Sequence, residues 1–537
     1  MPKRIIICSD GTGNTAVKGR GTNVFKLYEA IDLNGHRTDP ALTPQVALYD
    51  DGVGTEDVKL LKIFAGMTGF GLGRNVRQLY KELARVYDPG DEIYVFGFSR
   101  GAFTVRTLVG LIAKCGVLDP TKLSTRTAAG LHTAVKQAYR FYRQCFRTRL
   151  AEMVLGPATD RTTEFRRERS HHAEVRIRFV GVWDTVDAVG LPFHLADVLN
   201  STVHRFKFPD YRLSPSVDRA CHALALDDER HSFSPLLWDE SGETEGRVSQ
   251  VWFAGAHSNV GGGYPKQGLS LVALDWMLTE AERAGAPFGE PGLRVNQNER
   301  QLYREHANVD DKLYDPRAGL GVFYRWRIRD MRALCLAKGV APRLHLSVLE
   351  RIAHGTEDYA PGNLAPDATV VFTETDRAED RALVTYRAEN VHAVLAAVRS
   401  LHEKLLPAMQ GSRRLGLMSY YVYLIASTAV LLAAAGGTSV ATLLNPLKVL
   451  TSVGRVVGGL LSDPAGQAVA IVRTLGQDWS LAGWLLVGFL LAYVLSLVAD
   501  RRMSAWFSGF WYDLQPKLRD ALKQARLDRL EAGGLGD

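Results

Sequence analysis

The chain has 537 residues, 46% hydrophobic and 23% charged, with a formal net charge of +7. That length exceeds what one core usually supports, and the basic excess suits an anionic membrane surface or nucleic acid. No nucleic-acid motif accompanies the charge, so membrane contact is the simpler reading. The five cysteines, Cys8, Cys115, Cys145, Cys221 and Cys335, are scattered and odd in number, which excludes a zinc site or disulfide framework by spacing and fits a reducing compartment.

Only Met1, Pro2 and Lys3 precede the first strand, Arg4 to Cys8, so no signal peptide is read and the catalytic half is expected to fold in the cytoplasm. The strand runs into a glycine-rich turn, Ser9 to Asn14, whose backbone N–H groups can approach a ligand closely. It lacks the Gly-Lys-Ser/Thr ending of a P-loop and the G-x-G-x-x-G spacing. A second strand, Glu92 to Phe96, leads into Gly97-Phe98-Ser99-Arg100-Gly101, and Ala102 to Cys115 reads as a helix. Strand, G-x-S-x-G, helix is the setting of a nucleophile elbow, in which Gly97 and Gly101 leave space for a strained turn that exposes the Ser99 hydroxyl. The alternative is a buried glycine turn. The N–H of Arg100 is one oxyanion donor by position. Gly11 and Thr12 are candidates for the second, against a merely structural turn.

Residues 121 to 172 interrupt the strand pattern. Ala129 to Met153 reads as a helix with aromatic and arginine side chains interleaved, either a cap facing lipid or an amphipathic helix packed on the sheet. Arg166 to Arg169 reads as an exposed charged loop. A third strand, Val175 to Trp183, ends in Asp184, with Asp187 as backup acid. The segment Arg219 to His231 contains His222 and His231 but lacks a strand-then-glycine context, so a core or surface role is expected for both. A fourth strand, Val248 to Ala254, precedes Gly255-Ala256-His257-Ser258-Asn259, with three glycines behind it at 261 to 263. An activated serine needs a base, and the base an orienting carboxylate, in the chain order serine, acid, histidine. Ser99, Asp184 and His257 therefore form the candidate triad, each at the C-terminal end of a strand. No metal or cofactor is needed for that chemistry.

Residues 296 to 410 are mixed α/β without an assignable motif, and Val391 to Leu406 reads as a helix leading toward the membrane. From Leu415 to Leu447 there is no charged residue, and Trp479 to Ala499 is a second uncharged run. Each is long enough to span a bilayer. Arg413 and Arg414 before the first, and Arg501 and Arg502 after the second, favour a hairpin with both ends cytoplasmic, although Lys448, Arg455 and Arg473 lie between them. Val449 to Leu461 reads as interfacial. Tyr420, Tyr421 and Tyr423, and Trp506, Phe507, Phe510, Trp511 and Tyr512, read as interfacial anchors.

Five motifs in one order carry a resemblance: Ser9 to Asn14, Gly69 to Gly73, Pro89 to Phe103, Gly181 to Val186 and His257 to Tyr264. Together they resemble the catalytic domain of the type VI secretion lipase effectors, an α/β-hydrolase family formerly labelled a domain of unknown function. The similarity extends from about residue 3 to about 365, where Tyr359 to Leu364 has the family's look. It implies an esterase acting on acyl lipids, characteristically a phospholipase A, with its triad on Ser99, Asp184 and His257. Relatives often carry aspartate where this chain has Asn259.

The expected architecture is an α/β-hydrolase-like, mostly parallel sheet with helical insertions, then a two-helix transmembrane hairpin. The expected units are 1–375 (catalytic, with 121–172 as the cap candidate), 376–412 (helical connector), 413–502 (hairpin) and 503–537 (amphipathic tail). The expected function is a membrane-anchored phospholipase A-type serine esterase, either an effector delivered into another cell or an enzyme on the cell's own inner membrane. The alternatives are a membrane-perturbing protein with an accessory hydrolase domain, and an esterase of small soluble substrates. Expected partners are membrane phospholipids, with a secretion machine or an immunity protein if the chain is an effector, and no nucleic acid.

Overall fold

The computed structural model describes residues 2–11, 21–51, 72–146, 160–186, 211–284, 292–318, 324, 326–373, 383–385, 389–400, 403, 409–434, 479–533 and a few positions between 451 and 477. Thr12, Gly69, Asp187, most of Val449 to Leu461 and residues 147–159 lie outside the described residues.

Among the described residues nine strands form one sheet in the order β2-β1-β3-β4-β5-β6-β7-β8-β9. These are β1 (Arg4–Ser9), β2 (Gln45–Asp50), β3 (Glu92–Phe98), β4 (Arg176–Trp183), β5 (Val217–Ala225), β6 (Val248–Phe253), β7 (Arg343–His345), β8 (Thr369–Thr373) and β9 (Leu383–Thr385). All neighbours pair parallel except β8 and β9. Parallel strands need crossovers and are covered on both faces, which explains continuous apolar runs such as Ile5-Ile6-Ile7. Ile5 and Ile7 face a core with Ile93, Val95 and Val182, covered by α2 (Leu72–Val86), α3 (Arg100–Cys115) and α4 (Ala128–Gln144). Ile6 faces the other core with Phe96, Phe179 and Trp276. That side is covered by α1 (Asn23–Ala30) and a later helix, Gly268–Arg283.

The segment Arg219 to Ala225, read as strandless from sequence, is the inner part of β5. Its Asp218, Arg219 and His222 break the apolar pattern that marks its neighbours, yet it pairs parallel with β4 and β6, and Cys221, Ala223 and Ala225 pack into the core on one face. In the segment 121–172, α4 buries Leu131, Ala134, Val135, Ala138 and Tyr142 against α2 and α3. Arg166, Arg167 and Arg169 lie on α5 (Thr162–Arg169) rather than on a loop.

The sheet continues beyond the fourth strand of the sequence reading, through β7 and β8. A third core joins them to α6 (Leu346–His354), α7 (Glu389–Ser400) and a long helix, α9 (Trp479–Gly533). Ahead of α9 in the chain comes α8 (Gln410–Ala434). The two run antiparallel: Gly416 faces Ala499, the Ser419 hydroxyl donates to the Ala492 carbonyl at 2.6 Å, and Gly488 faces Ala426. Small residues at the contact let the backbones approach closely.

Among the described residues one helix segment, Trp479–Arg526 within α9, is long and apolar enough to cross a membrane. α9 runs unbroken across residue 502, the expected junction of hairpin and tail, and on through Pro516. Its C-terminal part docks on the catalytic unit: Trp511 Nε1 donates to the Pro361 carbonyl (2.8 Å), Gln515 to Ile352 (2.8 Å) and Arg519 to Ala353 (3.0 Å). Phe507 and Trp511 are accordingly core residues rather than interfacial anchors, whereas Trp506 and Tyr512 remain exposed.

Candidate active site

The C-terminal ends of β3, β4 and β6 converge. Ser99 caps α3 with φ 58° and ψ −122°, a conformation that L side chains rarely adopt and that costs on the order of 1–3 kcal/mol unless the surroundings enforce it. They do. A Cβ on Gly97 would stand 2.7 Å from the Ala102 backbone, one on Gly101 would overlap the Ser9 carbonyl, and the Ser99 N–H donates to the Trp183 carbonyl at 3.1 Å. Asp184, also at positive φ (37°), follows β4, and its N–H is tied to the Ala223 carbonyl at 2.8 Å. His257 opens a short helical turn, His257–Gly261, after β6.

The three side chains form one hydrogen-bonded line. Ser99 Oγ lies 2.7 Å from His257 Nε2, and His257 Nδ1 lies 2.5 Å from Asp184 Oδ2. The acceptor at Nδ1 is a carboxylate, so Nδ1 carries the proton and Nε2 is the lone pair facing the serine hydroxyl. All three residues are buried. The Phe98 ring lies 4.6 Å from the imidazole and the Phe233 ring meets it edge-on at 5.1 Å, with the Arg230 guanidinium stacked on Phe233. This wall keeps water from the base on two sides.

Two partners of this line had no signal in the sequence. Arg329 donates through Nη1 to Asp184 Oδ1 (2.7 Å) and through Nη2 to Oδ2 (2.9 Å), and Oδ1 also accepts from the Ala225 N–H at 3.1 Å. Burial opposes the Asp184 charge, but Arg329 and then His257 outweigh it and hold the carboxyl below its usual range. Asp228 Oδ2 accepts the His257 backbone N–H at 3.2 Å. Burial pulls the His257 pKa below its ordinary value despite the opposing pull of Asp184. The imidazole is therefore neutral at neutral pH, as a general base must be.

The remaining sequence candidates fall as follows. Arg100 is the first residue of α3, where backbone N–H groups lie outside the helical ladder. The Gly11 N–H donates to the Asp10 carboxylate at 2.6 Å, and Asp10 also accepts from the Thr22 hydroxyl (2.6 Å) and the Tyr49 hydroxyl (2.7 Å). In this arrangement the turn holds a buried carboxylate, and Gly11 must exchange that bond to serve an oxyanion. His222 sits inside β5 and accepts from the Thr185 N–H at 3.1 Å, with burial pushing its pKa down to about 3. That is a core role beside the acid. His231 lies on a short turn 3.4 Å from Arg327. Asn259 accepts the Tyr314 N–H (3.2 Å) and donates to the Lys312 carbonyl (3.1 Å). The second of these bonds is one an aspartate could not make. Among the described residues no cluster of metal-ligating side chains occurs.

Arg317, Trp326 and Arg329 tie this site to α9. Arg317 Nη2 donates to the Ser496 hydroxyl at 2.7 Å, and Glu229 accepts from both Arg317 (3.4 Å) and Trp326 Nε1 (2.8 Å). Glu229 adjoins Asp228, so the helix pair and the His257 loop share one polar chain.

A family model described as T6SS phospholipase effector Tle1-like, catalytic domain, matches residues 3–280. That span is more than half of the chain and includes Ser99, Asp184 and His257. A curated relative, Uncharacterized protein YEL023C of Saccharomyces cerevisiae, is 31% identical over 249 residues, covering 44% of this chain and 33% of its own length. The chain thus spans about a third of the curated relative it matches. Among solved structures, an uncharacterized protein from Pseudomonas aeruginosa is similar at 17% identity and a TM-score of 0.33, over 75% of this chain and 59% of that one. A structure of the Tle1 effector bound to the VgrG spike of the type VI secretion system is similar at 19% identity and a TM-score of 0.28, over 49% and 51%.

Proposed function

The chain belongs to the Tle1-like family of type VI secretion phospholipase effectors, and from that membership we propose that it is a membrane-anchored serine esterase that hydrolyses acyl esters of phospholipids. The observation that carries this reading is the line from Ser99 Oγ through His257 to Asp184, at 2.7 and 2.5 Å. His257 Nε2 takes the Ser99 proton as Oγ attacks the ester carbonyl carbon. The tetrahedral oxyanion is met by the Arg100 N–H, with the turn at Gly11 and Thr12 supplying the second donor. His257 then returns the proton to the departing lysophospholipid oxygen, leaving an acyl-serine. Water, deprotonated by the same imidazole, attacks that ester and releases the fatty acid. Asp184 keeps Nδ1 protonated and stabilises the imidazolium that forms in each half-reaction.

Membrane anchoring is supported by the α8–α9 pair, whose outward face exposes Met418, Ile425, Trp484, Leu486, Val487 and Leu490. A two-span hairpin with the catalytic unit on the cytoplasmic side accounts for that face and for the arginines at its outer ends. Tethering raises the local concentration of lipid without new contacts. Family membership also favours delivery by a type VI machine and an immunity protein in the producing cell.

Detergent-purified protein and its Ser99→Ala variant, incubated with phospholipid vesicles, give products identifiable by mass spectrometry. Wild type is expected to release fatty acid and lysophospholipid, and Ser99→Ala to lose on the order of 10⁴-fold or more of that rate. Vesicles that leak equally with both proteins and release no lipid products would replace this reading with a membrane-perturbing one.

A further inference from the structure

A cavity of about 730 Å³ lies between the catalytic unit and the start of α8, lined in part by Trp326, Arg327, Asp330, Arg413, Arg414 and Leu417. Its size is that of a small-molecule site. Its charge is lopsided: three arginines and one carboxylate line it, and that carboxylate is engaged in capping a helical turn through the Ala333 N–H at 2.9 Å. Among the described residues neither Arg413 nor Arg414 has a carboxylate within ion-pairing distance. Arginines grouped without carboxylates suit an anion with several oxygens, above all a phosphate, which a guanidinium fork meets with two parallel bonds.

The position of the cavity narrows the choice. Leu417 lines it and also begins the exposed apolar face of α8, followed by Met418 (53% exposed), Tyr421 (47%) and Ile425 (70%). A molecule seated among the arginines would thus have its other end beside side chains suited to lipid. A free phosphate ester would use only the first half of that surface. The opposite wall, Trp326 to Asp330, is the segment that delivers Arg329 to Asp184.

We propose that this cavity is a headgroup site for an anionic phospholipid, distinct from the ester-cleaving centre, whose acyl chains lie along the outward face of α8. The proposal rests on the membrane-facing part of the function given above, and not on ester cleavage.

The test uses the full chain carrying Ser99→Ala, so that no lipid is consumed. Native mass spectrometry from detergent micelles would follow retention of short-chain phosphatidylglycerol against phosphatidylcholine. The anionic lipid is expected to be retained at about tenfold lower concentration, and Arg413→Gln with Arg414→Gln to abolish that preference. Ala333→Glu places a carboxylate in the cavity while keeping every arginine. Glutamate there, at the third position of a turn capped by Asp330, supports the local fold, and it is expected to abolish the preference too. Arg501→Gln with Arg502→Gln removes nearby charge outside the cavity and should leave the preference in place.

Equal retention of the two lipids overturns the proposal, as does equal loss in both arginine pairs, which would mark a diffuse collar of charge. Displacement of phosphatidylglycerol by free glycerol phosphate at the same concentration also overturns it, in favour of a soluble phosphate ester. Headgroup preference without turnover by wild type would keep this site and remove the esterase reading. Turnover without preference would do the reverse.

Discussion

Two regions of this chain treat arginine in opposite ways. At the sheet's C-terminal edge Arg329 is buried, with both of its terminal nitrogens bonded to Asp184 and also to the Ala225 and Phe233 carbonyls. At the start of α8, Arg413 and Arg414 stand at a cavity mouth among exposed apolar side chains. In the first region the charged groups are inside and paired; in the second, apolar groups are outside and the cations line a cavity with one carboxylate among them. A polar group survives burial only when paired. An apolar face survives exposure only where its solvent is not water, or where something covers it. The contrast identifies the medium each region is built for more directly than either does alone.

The largest expected effect breaks the first region. Asp184→Asn keeps the shape but removes the charge that fixes the His257 tautomer, and should lower kcat by about 10⁴-fold. It also strands Arg329 without its carboxylate, and removing one partner of a buried pair costs about 3–5 kcal/mol. Lipid release and thermal unfolding, measured on the same preparation, should therefore both fall. An active variant of unchanged stability would mean that the Arg329–Asp184 pair is not formed in solution.

A smaller effect separates the second region from the first. Leu490 is 54% exposed on α9 and lies outside the core that joins α9 to the catalytic unit. Leu490→Arg places a charge on the outward face, at about 2.5–3.5 kcal/mol if that face is in lipid. Co-sedimentation with vesicles should weaken, while hydrolysis of a short-chain soluble ester is unchanged. If vesicle binding is unaffected, the face is covered by protein rather than by lipid.

Legibility in the sequence follows the same division. β1, β3, β4 and β6 were readable because their apolar runs end in residues with chemistry, Ser9-Asp10, Ser99, Asp184 and His257. β5 was not, since His222 and Arg219 interrupt its pattern, and β7 and β9 have three residues each. Arg329 lies 145 residues from Asp184 in the chain, inside Trp326 to Asp330, a stretch too short for its alternation to distinguish one arginine from the other. Nothing local marks such a residue; only the folded sheet brings it to the acid. The apolar runs near the C-terminus were evident by length, yet the docking of α9 beyond residue 502 was not. Phe507 and Trp511 look like interfacial aromatics until the core that receives them is known.

The finest test concerns how Arg329 shapes the base. Burial lowers the His257 pKa and outweighs the pull of Asp184 and Asp228 toward protonation, so the value lies below its ordinary one. The Arg329 guanidinium, bonded to both Asp184 oxygens, opposes the pull of that carboxylate. The acid limb of kcat/KM, which reports the free enzyme, should have its midpoint below about 6.5. Stability follows the same proton. Below about pH 6.5 the unfolded chain takes up a proton that folded His257 resists, so stability held above that pH declines as pH falls toward the folded value. Asp184, also depressed in the fold, adds a second decline that begins only below about pH 4. Arg329→Gln leaves Asp184 facing His257 uncompensated, and should move the acid limb of activity toward higher pH while total activity falls. A role confined to packing would lower activity and stability and leave the limb in place.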